Sequence, residues 1–351
     1  MSVVRIRCER GPAVVGIKDV ARQAGVSVGT VSNVLNRPER VSDEIRARVH
    51  AAIDLLGYVR SESARQLRAG HSRMLGLLVM DTGNPFFAVL ARGTERVAAE
   101  AGLGVMVCNS AESAAAEQGY LSLFVEQRLR GVLFAPVASD GEPWQALRRA
   151  NIPFVVVDRA VDARTACSVA ADDVLGGSLA GRHLLAAGHR RIAYVHGPGH
   201  LQQVRDRREG LVRAVEEAGL GIDAIVDIPA ERLDVSAGRD AGARLLGLSP
   251  RPTAVFCAND LLALGVMQTT FDAGVRVPDD LAVVGYDDIE FAEASLIPLT
   301  SVRHPAAEIG RLAAGLLLQE IEPPDPERGH QHAGIVLQPE LVVRRSSTPQ
   351  P

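Results

Sequence analysis

From Met74 onward the chain repeats one unit: a continuous apolar run of strand length, a turn rich in Gly or Pro, then a helical stretch. The apolar runs are "MLGLLVM", "LGVMVCNS", "GVLFAP", "PFVVVD", "RIAYVHG", "AIVDIP", "AVFCAND" and "LAVVGYDD". Strands that are apolar on both sides must be covered on both faces, and the intervening helices supply that cover. The pattern therefore demands parallel sheets in an α/β layering. About 270 residues exceed one doubly wound sheet of ordinary size, so two similar lobes are expected. Ligands in such sheets sit at the carboxyl ends of the strands. Those ends read "DTGNPFF", "VVDR", "HGPG", "CAND" and "GYDD", rich in Asp, Asn, Arg and aromatic residues.

The first 73 residues obey a different rule. "IKDVARQA" (17–24) puts Ile17, Val20, Ala21 and Ala24 on one helical face, and Gly25 reads as its C-cap. Ser27 reads as the N-cap of a second helix to about Asn36, and Ser42 as that of a third over 43–58. Three short helices around a tight glycine turn make a helix-turn-helix bundle. Val31 and Leu35 are expected to pack inward. Val28, Gly29, Thr30, Ser32 and Asn33 remain, with side chains short enough to let the helix approach base edges and phosphates in a major groove. Charge agrees: residues 1–73 carry 13 Lys/Arg against 7 Asp/Glu, whereas the remainder is acidic by 10. A basic head on an acidic body suits a polyanionic partner. "SESARQLRAGHSR" (61–73) reads either as a charged linker or as a helix that forms on DNA. In the second reading Arg65 and Arg68 lie near phosphates and Leu67 wedges into the minor groove.

Other classes find little support. No run of about 18 apolar residues suggests a membrane span, and "MSVVRIRCERGPAVVGI" lacks a secretory h-region, so a cytoplasmic protein is expected. Cys8, Cys108, Cys167 and Cys257 are scattered and read as reduced thiols. No G-x-S-x-G, P-loop, H-E-x-x-H or dinucleotide fingerprint is present, and the five His between 183 and 304 show no ligand spacing. No enzymatic activity, cofactor or metal is expected. A transport-type sugar-binding protein would share the core but not the basic helical head.

The ordered segments "IKDVARQAGVSVGTVSNVLN", "RVSDEIRARVHAAIDLLGYVR", "SARQLRAG", "LLAAGHRRIAYVHGP", "RDRREG", "CANDLLALGVM", "VVGYDDIEFA" and "PLTSVRHP" resemble the LacI–GalR family of bacterial transcription factors, from about Gly16 to Arg345. The resemblance implies a helix-turn-helix head, a hinge helix, and a type I periplasmic-binding-protein-like core that dimerises and takes a small effector between its lobes. It implies a repressor acting as a homodimer on a palindromic operator and answering to a sugar or sugar derivative. It gives Val28, Gly29 and Asn33, following Ser27, the choice of operator, and Leu67 the central wedge. Arg205, opening "RDRREG", becomes a grip on effector hydroxyls, with Asn259 and Asp287 as further contacts and Phe86, Asp158 and Arg159 at matching strand ends. The expected domains are an extension (1–15), the head (16–60), the hinge (61–73), the core (74–345) and a tail (346–351) without the leucine heptads of a tetramerising segment. Within the core the N-lobe is expected over 74–170 and 299–332, the C-lobe over 171–298 and 333–345. The chain would then cross between lobes near 168–173, 298–302 and 331–335.

Overall fold

The computed structural model describes residues 15–59, 70–137, 142–322 and 331–348. Residues 1–14 of the expected extension and the hinge residues Arg65, Leu67 and Arg68 lie outside the described residues. The chain forms two compact units that divide after Gly70.

The first unit holds α1 (Ile17–Ala24), α2 (Val28–Asn36) and α3 (Asp43–Leu56). Gly25 takes φ 64°, and the Val26 N–H reaches the Ala21 carbonyl while the Gly25 N–H reaches Arg22, so α1 ends in a Schellman turn. Val26 then packs on a core of Val20, Ala21, Val31, Val34, Val49 and Ala52. Val34 is buried within that core, and Leu35, half-buried, packs against it as expected. Ser42 holds the N-cap position of α3, but its side chain makes no capping bond.

The second unit is a pair of six-stranded sheets. The N-lobe runs β1 (Met74–Val79), α4 (Pro85–Glu100), β2 (Gly104–Asn109), α5 (Ala114–Glu126), β3 (Gly131–Phe134), α6 (Gln145–Arg149), β4 (Phe154–Val157) and β5 (Cys167–Ala171). The C-lobe follows with α7 (Asp173–Ala186), β6 (Ile192–His196), α8 (Gln202–Glu217), β7 (Ile225–Pro229), α9 (Val235–Leu246), β8 (Ala254–Cys257), α10 (Asp260–Asp272), β9 (Ala282–Asp287), α11 (Glu290–Ala294) and β10 (Thr300–Arg303). α12 (Ala306–Ile321) returns to the N-lobe, where Ile309, Ala313 and Leu317 join the core around Leu90. β11 (Gly334–Leu337) and β12 (Glu340–Val342) close the two sheets. The strand orders are β11-β5-β4-β3-β1-β2 and β12-β10-β9-β8-β6-β7, parallel throughout except for β12 against β10.

The crossings lie at Asp172, at His304–Pro305 and at Gln338–Pro339, so the second and third fall later than expected. β10 still belongs to the C-lobe and β11 still to the N-lobe. Both are four residues long, and β11 is an edge strand with Val336 53% exposed, so neither carries a continuous apolar run. The expected tail is also corrected. Ser346 and Ser347 are buried: Ser346 Oγ donates to the Val283 carbonyl (2.6 Å) and accepts from the Thr300 N–H (2.8 Å). They seal the end of the C-lobe sheet, where an unpaired backbone donor would be costly.

Candidate ligand cleft and recognition helix

The carboxyl ends of β1, β4, β8 and β9 meet between the lobes in a narrow cleft lined by Phe86, Asp158, Gln203, Arg207, Asn259 and Asp287 among others. Each side chain is placed by a local device. Asn84 caps α4, its Oδ1 accepting from the Phe86 N–H (3.0 Å), which sets the Phe86 ring against the cleft. Asp158 follows β4 and Asp287 ends β9, with φ 61° and 97°, left-handed conformations that turn their carboxylates inward. Asn259 caps α10, accepting from Leu262 N–H (2.9 Å) while its Nδ2 donates to the Leu233 carbonyl (2.9 Å). It lines the cleft and also fixes the loop across from it.

Arg207, not Arg205, reaches the cleft. On α8 the buried stripe is Gln203, Val204, Arg207, Gly210, Leu211, Ala214 and Val215, a helical repeat that includes Arg207 and leaves Arg205 aside. Arg205 instead donates to the carbonyls of Gly199 and His200 (3.0 Å each) and closes the turn before the helix. Arg207 Nε pairs with Asp173 Oδ1 at 2.8 Å, Nη1 donates to Ala258 O at 2.6 Å and lies 3.7 Å from Asp287, and the guanidinium stacks 3.7 Å over Tyr286. Burial opposes its charge; Asp173, Tyr286, Asp287 and Asp158 hold it. α8 comes this close because Gly177 of α7 faces the Arg207 carbonyl, where a Cβ would stand 2.0 Å away.

The lobes touch directly across this cleft. Asn84 Nδ2 donates to Asp287 Oδ2 (2.9 Å), and Gln203 Nε2 donates to Asp158 O and Oδ2 (2.8 and 3.0 Å). Between the two carboxylates lies His304, at the second crossing. Its Nε2 is 3.5 Å from Asp158 Oδ1, its Nδ1 3.9 Å from Asp287 Oδ1, and its ring stacks on Phe86 at 4.5 Å. Burial pushes Asp158 up to about 7, against the pull of His304. Burial also opposes a charge on His304, but Asp287 and Asp158 outweigh it and raise the imidazole. Glu112, on the N-lobe rim, is raised by burial and by Asp81. Arg159 does not line this cavity; it lies beside Glu117. Asn84 and His304 stand within the quoted stretches "DTGNPFF" and "PLTSVRHP" but were given no role there, and Gln203 and Glu112 lie in no quoted motif. The α8 repeat would have exposed Arg207 and Gln203; the others become neighbours only through the fold.

On the head, Ser27 Oγ accepts from the Thr30 N–H (3.0 Å) and lies 2.9 Å from Thr30 Oγ1, so α2 is capped from within. Ser27, Val28, Gly29 and Asn33 are exposed, whereas Thr30 and Ser32 are half-buried. Asn36 Nδ2 donates to the Ser32 carbonyl (2.7 Å). The exposed face is thus nearly free of bulk, with Val28 its largest apolar group.

Residues 16–61 match the family described as bacterial regulatory proteins, lacI family, and residues 182–347 match the periplasmic binding protein-like domain. The ribose operon repressor of Escherichia coli is 36% identical over 332 residues, covering 94% of this chain and 99% of the relative. The chain belongs to the lacI family. The HTH-type transcriptional repressor PurR of Photobacterium profundum is 32% identical, covering 94% of this chain and 98% of the relative. Among solved structures, a transcriptional regulator CelR–cellobiose complex matches this lacI-family chain at 31% identity with TM-score 0.70, covering 95% of this chain and 100% of that one. The Lac repressor dimer bound to operator and the anti-inducer ONPF matches at 26% identity with TM-score 0.81, covering 95% and 99%. These relatives are transcriptional regulators rather than enzymes. No helix among the described residues is long and apolar enough to cross a membrane.

Proposed function

We propose that this chain is a repressor that binds a palindromic operator as a homodimer and is controlled by a neutral sugar held between its lobes. The observation that carries the reading is the cleft's chemistry. Arg207 donates, Asp158 and Asp287 accept, and Phe86 offers a flat apolar wall, the set that grips vicinal hydroxyls and covers a sugar ring. Asp158 Oδ1 and Gln203 Oε1 are buried without hydrogen-bond partners among the described residues, and a polyol has donors for both. Four acidic residues, Asp81, Glu112, Asp158 and Asp287, face one arginine there. The cleft offers a phosphate a single guanidinium that is already paired with Asp173, so an uncharged sugar suits it better than a phosphorylated one. For assembly, Phe271 (75% exposed), Leu296 (93%) and Phe291 (49%) give the C-lobe an apolar surface of the kind that marks protein interfaces. Such a pairing would bring two heads to two half-sites.

The test is fluorescence anisotropy of the full chain on a duplex from its own promoter. Specific binding that weakens steeply with salt and is released by a neutral aldose is expected. Binding to no promoter duplex, or release by a purine or a sugar phosphate instead, overturns the reading. Leu296→Asp should give a monomer by sedimentation and lose specific binding; a dimeric Leu296→Asp protein would remove this face from the assembly.

A further inference from the structure

Away from the cleft, Cys167, Glu320 and His332 bring three different ligand atoms within 4.8 Å of one another. Cys167 opens β5, Glu320 lies in the last turn of α12, and His332 precedes β11. The parallel register pairs Ser168 with Gly334, and this fixes the sulfur beside the incoming segment: the Ala333 N–H donates to Cys167 Sγ at 3.2 Å. The sulfur is 3.9 Å from His332 Nδ1, and the same nitrogen is 2.9 Å from Glu320 Oε1. A nucleophile–imidazole–acid relay needs one ring nitrogen for each partner. Here thiol and carboxylate approach a single nitrogen, so the three groups surround a point instead of forming a chain.

That point has the dimensions of a cation. With bonds of about 2.3 Å to sulfur and about 2.05 Å to nitrogen and oxygen, tetrahedral zinc separates S from N by about 3.6 Å and N from O by about 3.3 Å. The sulfur–nitrogen and nitrogen–oxygen separations reach those values by shifts of a few tenths of an ångström. An N–H donated to the sulfur is also the outer contact that steadies a metal-bound thiolate. Cys167 is buried, while the His332 side chain is 32% exposed and Glu320 12%, so an ion can reach the cluster from the His332 side.

We propose that Cys167, Glu320 and His332 form a binding site for a zinc-class divalent cation that ties β5, α12 and β11 together. A thiolate with an imidazole selects zinc or cobalt over magnesium and calcium. On binding, the S–H bond breaks, a metal–sulfur bond forms and the proton passes to solvent. Cys167 and Met74 begin parallel strands of one sheet, so the site lies at the end of the N-lobe opposite the ligand cleft, where the chain enters the core. Cation and effector therefore bind at separate places.

Cobalt(II) titrated into the full-length protein tests this. One equivalent should give a near-ultraviolet thiolate-to-cobalt band with four-coordinate visible absorption. Cys167→Ser should abolish the band, His332→Ala and Glu320→Gln should weaken binding by at least about tenfold, and Cys108→Ser should change nothing. Zinc should raise the thermal midpoint of the parent protein but not of His332→Ala. If Cys167→Ser does not fold, the partly exposed His332 carries the comparison. A parent protein without the band, a band that survives Cys167→Ser, or equal affinity in His332→Ala overturns the proposal.

Discussion

The position of Arg207 depends on two helices lying closer than any side chain between them would allow, and Gly177→Ala tests that dependence. The new Cβ would stand 2.0 Å from the Arg207 carbonyl oxygen and 2.8 Å from its carbon, both backbone atoms that cannot swing aside. Ordinary contact begins near 3.4 Å, so α7 and α8 must part by about 1.4 Å. Gly210 presses equally on α7, its own Cβ position 2.0 Å from the Val174 carbonyl, so the helices have no room to slide instead. A gap of this size forfeits half or more of the dispersion wells along the contact, and overpacking of this kind costs about 3 kcal/mol. For a core of this size that is a fall of about 6 °C in the melting midpoint. Moving α8 also draws Arg207 from Asp173 and Ala258, and the loss of one charge-assisted hydrogen bond to effector lowers affinity about 10–100-fold. Calorimetric melting and sugar titration measure both quantities. Gly315→Ala is the control: it lies within α12 with nothing inside 4 Å of its Cβ, and the better helix former should stabilise by about 0.5–1 kcal/mol. Gly177→Ala with a midpoint within about 1 °C of the parent and unchanged sugar affinity would refute the claim that helix contact positions the arginine.

Arg207→Ala should abolish the response to effector and lower the melting midpoint, because Asp173 and Asp287 lose their buried partner. Arg205→Ala should respond nearly as the parent does, since that side chain serves the Gly199–His200 turn; equal loss in both variants would restore Arg205 to the site. Asp158 ionises at 3.8 when unfolded and at about 7 in the fold, so the native state binds more protons across that window. Stability from this group is therefore highest near pH 4, falls as pH rises to about 7 and is flat above; Asp158→Asn should remove that slope in pH-dependent melting curves, and an unchanged slope would reassign it. Ser27→Asp keeps an N-cap acceptor for Thr30, so head stability should hold, while operator affinity drops about tenfold or more from charge near the phosphates, as read by anisotropy. Unchanged affinity would take Ser27 off the DNA face.

Legibility in the sequence followed how local each determinant is. Gly25, Ser27 and the stripes of α1 and α3 act over a few residues, and the head came out as their spacing requires. β1–β4 and β6–β9 are apolar runs and were legible for the same reason. β5, β10, β11 and β12 were not. Cys167–Ala171 is built of small residues, Thr300 and Ser301 are polar yet buried, and β11 and β12 are short edges paired to chain more than thirty residues away. In the cleft, Asp158, Asn259 and Asp287 stand at strand ends and could be found by topology. Arg207 required the helical repeat to be counted from Gly210, since "RDRREG" offers three arginines on different faces. His304 lies in the quoted segment "PLTSVRHP", but nothing local marks it as a cleft residue. Its importance comes from a crossing that places it between two carboxylates of different lobes.

That crossing bears on how an effector acts. Asp288, the residue after Asp287, pairs with Arg303 (2.8 Å) just before the second crossing and with Arg344 (2.6 Å) just after β12. The C-lobe ends of two connections are thus anchored to one buried carboxylate, while the neighbouring Asp287 faces the cleft and meets Asn84 of the other lobe. Rotation of the lobes stretches Asn84–Asp287 and Gln203–Asp158, which cross between them, whereas the Asp288 pairs lie within the C-lobe and move with it. Both direct bonds use groups that a sugar would also engage. A ligand that inserts between these pairs favours a wider lobe angle; one that bridges them without parting them favours the present angle. Equal affinity for both angles moves nothing, however tight the binding. The sign of regulation therefore rests on whether the sugar replaces the contact between Gln203 and Asp158 or adds to it. Gln203→Ala separates the two cases. It should tighten sugar binding if the contact must be broken, and weaken it if Gln203 also holds the sugar.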